Sequence, residues 1–233
     1  MSARENILAK LKKADALPMG EPAVFDYYRE MGVSWDSEVE RLKHWAAAMR
    51  AVKTEIYWVT KTSWPQVFRQ AAEGKGLKNI LLPLATEHGQ IARAALVDSN
   101  IEPIAFEREI DTWKTEFFAN IDAGFSGSQC GIARTGTLML FSSPEEPRTL
   151  SLVPPVHFCL FDTAKMYNEF HNAVEGEKLV ENGMPTNVFL ISGPSKTADI
   201  QLTLAYGAHG PRDLVILAIL PDHISPADLE ENA

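Results

Sequence analysis

From Thr54 onward, apolar runs typical of strands alternate with amphipathic runs typical of helices. The strand-like runs are "TEIYWVT", "KNILLP" and "IEPIAF", and the helix-like runs between them are "SWPQVFRQAAEGKG" and "TEHGQIARAALVDSN". Strands joined through a helix pair in parallel, because the connection must cross over the sheet. The sequence therefore predicts an α/β fold with a mostly parallel sheet flanked by helices.

The second half of the chain continues this pattern with four further β-rich segments and two helices. The β-rich segments are "IDAGFSGSQCGIARTGTLMLFSS", "RTLSLVPPVHFCLFD", "NVFLISG" and "RDLVILAILP"; residues 111–120 and "TAKMYNEFHNAV" predict helices. In "NVFLISGPSKTADIQ", the strand ends at a turn, and a helix capped by Ser195 or Thr197 is expected to follow.

The first fifty residues predict helices without strands. A short helix carries Ile7, Leu8, Leu11 and Leu17 on one face, and "PMGEPAVFDYYREMGVSW" is an irregular connector. A second helix runs from Ser34 or Asp36 to about Val52, and its apolar stripe consists of Val39, Leu42, Trp45, Ala46 and Met49. We predict three parts: an N-terminal helical arm at 1–52, an α/β domain at 53–222, and an acidic, disordered tail at 223–233. The arm could pack on a neighbouring subunit or on the chain's own core.

Composition excludes several classes of protein. The formal net charge of −9 argues against non-specific nucleic-acid binding, which needs a basic face. Cys130 and Cys159 are too few for an iron–sulfur cluster or a structural zinc site, so we expect no cofactor to be bound by this chain alone. We predict a cytoplasmic protein, because no apolar run reaches the ~18 residues of a membrane span and the N-terminus is too charged for a signal peptide.

Three segments near predicted strand ends combine glycines, hydroxyls and cations in a pattern that suits an anionic ligand. Open α/β sheets bind ligands at the carboxyl ends of their strands, and backbone N–H groups, hydroxyls and cations hold anions. The candidate anion-binding residues are Ser192, Gly193, Ser195, Lys196, Thr197, Arg148, Arg212, Arg134, Thr135, Gly136, Thr137, His157 and His209.

Each of these residues also has a purely structural interpretation. Ser195 or Thr197 can cap a helix, Gly136 can form a bulge, His157 can be a hydrogen-bonded core residue, and His209 can belong to a turn. Catalytic residues stay unassigned, because nothing in the sequence joins the available groups into a nucleophile–base pair. Those groups are Ser192, Ser195, His157, His209 and Glu87.

Taken together, "GIARTGTLML", "RTLSLVPPVHF", "ISGPSKTADIQ" and "GAHGPRDLVILAIL" resemble, in order and spacing, the LUD-domain family and its lactate utilisation protein C (LutC/YkgG-like) group. The resemblance implies a fold of the NagB/RpiA/CoA transferase-like type. It also implies a part in bacterial L-lactate oxidation to pyruvate beside two cysteine-rich iron–sulfur proteins, which would carry the clusters.

One position departs from the family pattern. The family usually has an acidic residue in "GIAxTGT", where this chain has Arg134. Coenzyme A transferases use a glutamate nucleophile, so this chain could not perform that chemistry from position 134. The substitution could also mark a subgroup with a different ligand. The alternative function is a stand-alone isomerase or acyl/CoA-transferase acting on a phosphorylated or carboxylate substrate.

Overall fold

The computed structural model describes residues 2–14, 20, 23–106, 110–198 and 204–229. The chain divides into two compact units, Met1–Gly32 and Val33–Ala233. In the first unit, α1 (Ala3–Lys13) begins at Ser2, whose side chain accepts a hydrogen bond from the Glu5 backbone N–H. A second helix, α2 (Val24–Met31), lies where the sequence predicted an irregular connector. Leu17, placed in the first helix by its apolar face, lies outside the described residues.

The second unit holds the strands and the remaining described helices. In chain order they are α3 (Glu38–Ala51), β1 (Glu55–Val59), α4 (Trp64–Gly74), β2 (Asn79–Leu82), α5 (Glu87–Ala95), β3 (Glu102–Ala105), α6 (Ile110–Asn120), β4 (Ala123–Gly127), β5 (Cys130–Ile132), β6 (Thr137–Phe141), α7 (Thr149–Leu152), β7 (Val156–Asp162), a 3₁₀ helix (Thr163–Lys165), β8 (Met166–Tyr167), α8 (Phe170–Gly176), β9 (Val188–Ile191), β10 (Lys196–Ala198), β11 (Leu204–Tyr206), β12 (Asp213–Ile219) and α9 (Pro226–Leu229). No helix among the described residues is long and apolar enough to cross a membrane.

The main sheet has six strands in the order β1-β12-β7-β4-β2-β3. Every neighbouring pair in it is parallel, which confirms the α/β fold with a parallel sheet flanked by helices. Its central strands β7 and β12 are apolar on both faces because both faces are covered, as is usual for parallel sheets.

A smaller sheet has the order β8-β5-β6-β9, and β10 and β11 form a separate antiparallel pair. β5 and β6 are an antiparallel hairpin, and its turn ends at Gly136, whose backbone N–H donates to the Ala133 carbonyl over 3.2 Å. Gly136 has a φ of 56°, so it closes a turn and is not the bulge that the sequence suggested.

The core lies on both faces of the main sheet. One face packs aromatic rings of α4 against the sheet, with the Phe68 and Phe158 centroids 5.2 Å apart. On the other face, Trp45 of α3 packs against Phe161 of β7, with ring centroids 5.2 Å apart. The apolar stripe predicted for α3 faces this core: Leu42, Trp45, Ala46 and Met49 are buried, and the half-buried Val39 packs against the same cluster. α3 thus belongs to the same compact unit as the sheet.

Three further local predictions were wrong. Lys196–Ala198 is a strand that pairs with β11, so neither Ser195 nor Thr197 caps a helix there. "RTLSLV" forms the short helix α7, and Arg148 precedes that helix where a strand was expected. In "TAKMYNEFHNAV", the α-helix begins only at Phe170. Short apolar runs do not distinguish helix from strand, and the outcome depends on the elements with which each run pairs or packs in the fold.

The predicted disordered tail is ordered through its described part. Pro226–Leu229 forms α9, and Leu229 and Ile224 are buried in the cluster that α3 covers. The prediction of disorder followed the acidic composition of this segment, but the segment also contains two apolar side chains, and their burial favours an ordered conformation.

Candidate functional site

A cavity of about 210 Å³ lies at the amino ends of β7 and β12, below the turn between β9 and β10. Five of the residues predicted for the anion site line it: Ser192, Gly193, Ser195, His157 and His209. The expectation that the three motif segments meet at the carboxyl ends of the parallel strands was wrong. Two of the three segments, "RTLSLVPPVHF" and "ISGPSK" with "HGPR", lie around this cavity at the opposite edge of the sheet, whereas no residue of "GIARTGT" is part of its described lining.

The β9–β10 turn is fixed by its backbone. Gly193 has a φ of 121°, a value that side-chain-bearing residues seldom adopt. The Ser195 backbone N–H donates to the Pro211 carbonyl over 2.8 Å, and the Gly207 N–H donates to the Ser195 carbonyl over 2.9 Å. These two bonds hold "SGPSK" against "GAHGPR", so two separate segments both contribute to the wall of one cavity.

His157 forms the inner wall of the cavity. It is the second residue of β7, is 1% exposed, and has Nε2 2.8 Å from Ser126 Oγ of the neighbouring β4. Its Nδ1 atom is buried without a hydrogen-bond partner among the described residues. Burial lowers the pKa of His157 to about 3, so its imidazole is neutral at neutral pH. The interpretation of His157 as a hydrogen-bonded core residue explains the contact of Nε2 with Ser126, but it leaves Nδ1 without a hydrogen-bond partner among the described residues.

A chain of hydroxyl groups joins the "GIARTGT" segment to the cavity. Thr137 Oγ1, at the start of β6, lies 2.7 Å from Thr135 Oγ1 and 2.7 Å from Ser192 Oγ. Thr137 is buried, whereas Thr135 and Ser192 are exposed. Gly136, between the threonines, packs closely on α3, since an added Cβ would lie 2.6 Å from Ala48 Cβ. These contacts place Ser192 at the cavity wall but leave Thr135 outside the lining.

The four predicted cations are not part of the cavity wall. Arg134 pairs with the carboxylate of Glu169, and the Arg212 guanidinium lies 3.4 Å from the Asp213 carboxylate. Arg148 and Lys196 are exposed and line no part of the cavity. Lys196 and Arg212 nevertheless directly follow the lining residues Ser195 and Pro211 in the chain.

Three further predicted residues contribute no group to the cavity. Thr197 lies within β10, one residue beyond Lys196. Gly136 is buried at the hairpin turn. Glu87, a candidate for acid–base chemistry, is the exposed first residue of α5. The sequence pattern missed Ser126, which touches His157, and Ser151 of α7, which lines the cavity. A serine in a buried strand is the only local signal for Ser126.

A second cavity of about 270 Å³ lies at the carboxyl ends of β4, β7 and β12, the edge where open α/β sheets usually bind ligands. His88 Nε2 is 3.3 Å from Glu146 Oε1, which also accepts a hydrogen bond from the Gly127 backbone N–H. Asp162 adds a second carboxylate to the lining. Carboxylates repel anions, so this cavity does not have the chemistry that the sequence predicted.

Both cysteines are buried, and burial raises the pKa of each thiol to about 12. Cys130 and Cys159 are therefore protonated at neutral pH and poor nucleophiles. Within the described residues, no group of three or more His, Cys, Asp or Glu side chains could hold a metal ion.

Comparison with known proteins identifies the family. The LUD domain model matches residues 42–219. A Neisseria meningitidis serogroup B protein with the name "Uncharacterized protein NMB1437" is 96% identical over the full length of both chains. "Lactate utilization protein C" of Oceanobacillus iheyensis is 22% identical over 91% of this chain and 93% of its own. "Uncharacterized protein YkgG" of Escherichia coli is 38% identical over 40% of this chain and 41% of its own.

A solved structure supports the same conclusion about the fold. The crystal structure of a DUF162 family protein from Deinococcus radiodurans superimposes with a TM-score of 0.57 at 19% identity. It covers 79% of this chain and 99% of its own. The family model spans well over half of the sequence, from within α3 to the end of β12. The chain therefore belongs to the LUD-domain family.

Proposed function

We propose that this protein serves bacterial L-lactate utilisation as a subunit that binds a small anionic ligand and acts beside two cysteine-rich iron–sulfur proteins. The observation that carries the proposal is the LUD domain match over 42–219, together with full-length similarity to proteins named lactate utilization protein C. Within the proposal, the fold is of the NagB/RpiA/CoA transferase-like type, and the protein works in the cytoplasm.

The His157 cavity supports a small ligand. Its volume of about 210 Å³ is below the roughly 300–1,000 Å³ of pockets for drug-sized molecules. The hydroxyls of Ser192 and Ser195 and the unpaired nitrogen of His157 supply polar contacts. Lys196 and Arg212, adjacent in the chain to lining residues, add positive charge near the cavity and can steer an anion towards it.

The electrons from lactate need an acceptor that side chains do not provide. Two cysteines are fewer than the about four thiolates that an iron–sulfur cluster needs. We therefore place the redox centres of the system in the partner proteins. The unusual strand ends or the helices of the N-terminal region are the surfaces we propose for docking those partners.

A stand-alone acyl or CoA transferase has less support. A transferase of that type needs a free carboxylate nucleophile, and position 134 holds an arginine whose guanidinium pairs with Glu169. Glu169 is 4% exposed, so its carboxylate is not free to attack a substrate.

The decisive experiment combines genetics and reconstitution. Deleting the gene is expected to impair growth on L-lactate but not on glucose. The purified chain, colourless and without stoichiometric iron, is expected not to oxidise lactate with a soluble dye. Dye reduction is expected only after the two cysteine-rich partners are added. Lactate oxidation by the isolated chain without added cofactor would refute the subunit role, and normal growth of the deletion strain would refute membership of the pathway.

A further inference from the structure

We infer that Ser126 fixes His157 in the neutral tautomer that carries its hydrogen on Nδ1, and that this N–H binds a single carboxylate group in the cavity. The carboxylate part of the inference rests on the proposed function, because it takes the ligand to be a small anion. The tautomer part rests on the structure alone and can be measured without any ligand.

The geometry leaves one imidazole nitrogen for a ligand. Ser126 is 2% exposed and His157 is 1% exposed, and the 2.8 Å contact between Ser126 Oγ and His157 Nε2 occupies one ring nitrogen. The other nitrogen, Nδ1, has no partner among the described residues, yet His157 lines the cavity. Unpaired buried polar atoms are rare in folded proteins and usually mark a site for a water or a ligand. A ligand atom in the cavity would supply the missing bond.

The chemistry of Ser126 decides which nitrogen carries the hydrogen. A neutral imidazole has one donor and one acceptor nitrogen, so the role of Nε2 sets the role of Nδ1. The hydroxyl of Ser126 lies 2.8 Å from Nε2 of His157, and its other neighbouring polar group is the thiol of Cys159, its register partner in β7. Sulfur is the weaker acceptor, so the hydroxyl hydrogen points to Nε2. The ring hydrogen is then on Nδ1, the nitrogen that has no partner among the described residues.

The lining restricts the class of ligand. Nδ1–H and the hydroxyls of Ser192 and Ser195 are neutral donors, and no Lys or Arg is part of the described cavity wall. Phosphate groups are usually held by cations or by several converging backbone N–H groups. One carboxylate needs fewer donors. The cavity therefore suits a small 2-hydroxy or 2-oxo monocarboxylic acid better than a nucleotide or coenzyme A.

The tautomer is tested first, on the full chain without ligand. Long-range ¹H–¹⁵N spectra of ¹⁵N-labelled protein at pH 7 are expected to show His157 neutral and protonated at Nδ1, with the signal assigned by its loss in His157→Gln. Ser126→Thr keeps the hydroxyl and is expected to keep this pattern. In Ser126→Ala, the imidazole is expected to divide between the two tautomers. Protonation at Nε2 in the wild type would overturn the inference and leave the proposed function standing.

Ligand binding is tested second, by calorimetry with pyruvate and L-lactate as probes. Ser126→Ala is expected to weaken pyruvate binding about fivefold, because only about a fifth of the molecules would then hold the Nδ1–H form. Ser128→Ala is the matched control: Ser128 bonds the Leu160 carbonyl, lies outside this cavity, and is expected to leave the affinity unchanged.

The binding measurements test the carboxylate ligand separately from the positioning role of Ser126. If neither pyruvate nor L-lactate binds the wild type, the carboxylate ligand and the anionic part of the proposed function both fail, whatever the tautomer. If inorganic phosphate binds more tightly than pyruvate, the assigned ligand class is wrong. If Ser126→Ala and Ser128→Ala weaken pyruvate binding equally, Ser126 has no specific positioning role.

Discussion

Replacing Gly193 with alanine tests whether the turn that forms one wall of the cavity requires glycine. Two features of the structure predict that this substitution lowers the free energy of unfolding. Gly193 has a φ of 121°, where an L-residue is strained. An added Cβ would also lie 2.5 Å from Cγ2 of Val52, at the end of α3. That separation is well inside van der Waals contact, so the turn or the end of α3 must move.

The two costs can be estimated separately. A residue held in a sparsely populated backbone region costs about 1–3 kcal/mol. Overpacking a well-filled site costs about 1–3 kcal/mol more. One shift of the turn can relieve part of both, so we expect Gly193→Ala to lower the free energy of unfolding by about 2–4 kcal/mol.

Equilibrium unfolding in urea, followed by tryptophan fluorescence and circular dichroism, measures the change. The matched control is Gly74→Ala at the end of α4, where an added Cβ meets nothing within 4 Å and the backbone is helical. That control is expected to be neutral or to stabilise by up to about 1 kcal/mol.

A second substitution separates strain from crowding. Val52→Ala removes the atom that the new Cβ would strike, so in the double variant the crowding cost should disappear and the strain should remain. The coupling between the two substitutions is expected to be about 1–2 kcal/mol. A loss below about 0.5 kcal/mol in Gly193→Ala, the range of ordinary surface changes, would refute the reasoning.

Three further predictions follow from the described contacts. Gly136→Ala is expected to lower the free energy of unfolding by about 2 kcal/mol, because its φ is 56° and its Cβ would strike Ala48; urea unfolding checks this. Between about pH 6.5 and pH 3 His157 is protonated in the unfolded chain but neutral in the folded chain, so the free energy of unfolding should decrease as the pH is lowered, by up to about 1.4 kcal/mol per pH unit. In His157→Gln this contribution to the pH dependence should be absent. Arg134→Glu places a carboxylate beside the buried Glu169 and is expected to lower the free energy of unfolding by about 2 kcal/mol, less than for a fully buried pair because Arg134 is 53% exposed. Adding Glu169→Gln should restore stability, and no restoration would contradict the pairing.

The sequence alone determined the class of fold and the membership of the family. Alternating strand and helix patterns require crossover connections, and these require parallel strands whatever the detailed packing. The stripe on α3 likewise specified its buried face, because helical periodicity is a local property. Residues from "SGPSK", "HGPR" and the β7 segment, which the sequence pattern singled out, lie around one cavity.

Tertiary structure decided where those segments meet and which groups face the cavity. Lys196–Ala198 is a strand because β11 pairs with it, and the pattern of the segment itself does not report that pairing. The candidate cations bind carboxylates or face solvent, an outcome set by contacts such as the one between Arg134 and Glu169. Ser126 and His157 are 31 residues apart and touch only because β4 and β7 are neighbours in the sheet. Periodicity fixes which face of an element is buried, whereas a hydrogen bond between two buried side chains depends on strand order and register, which only the folded chain brings into being.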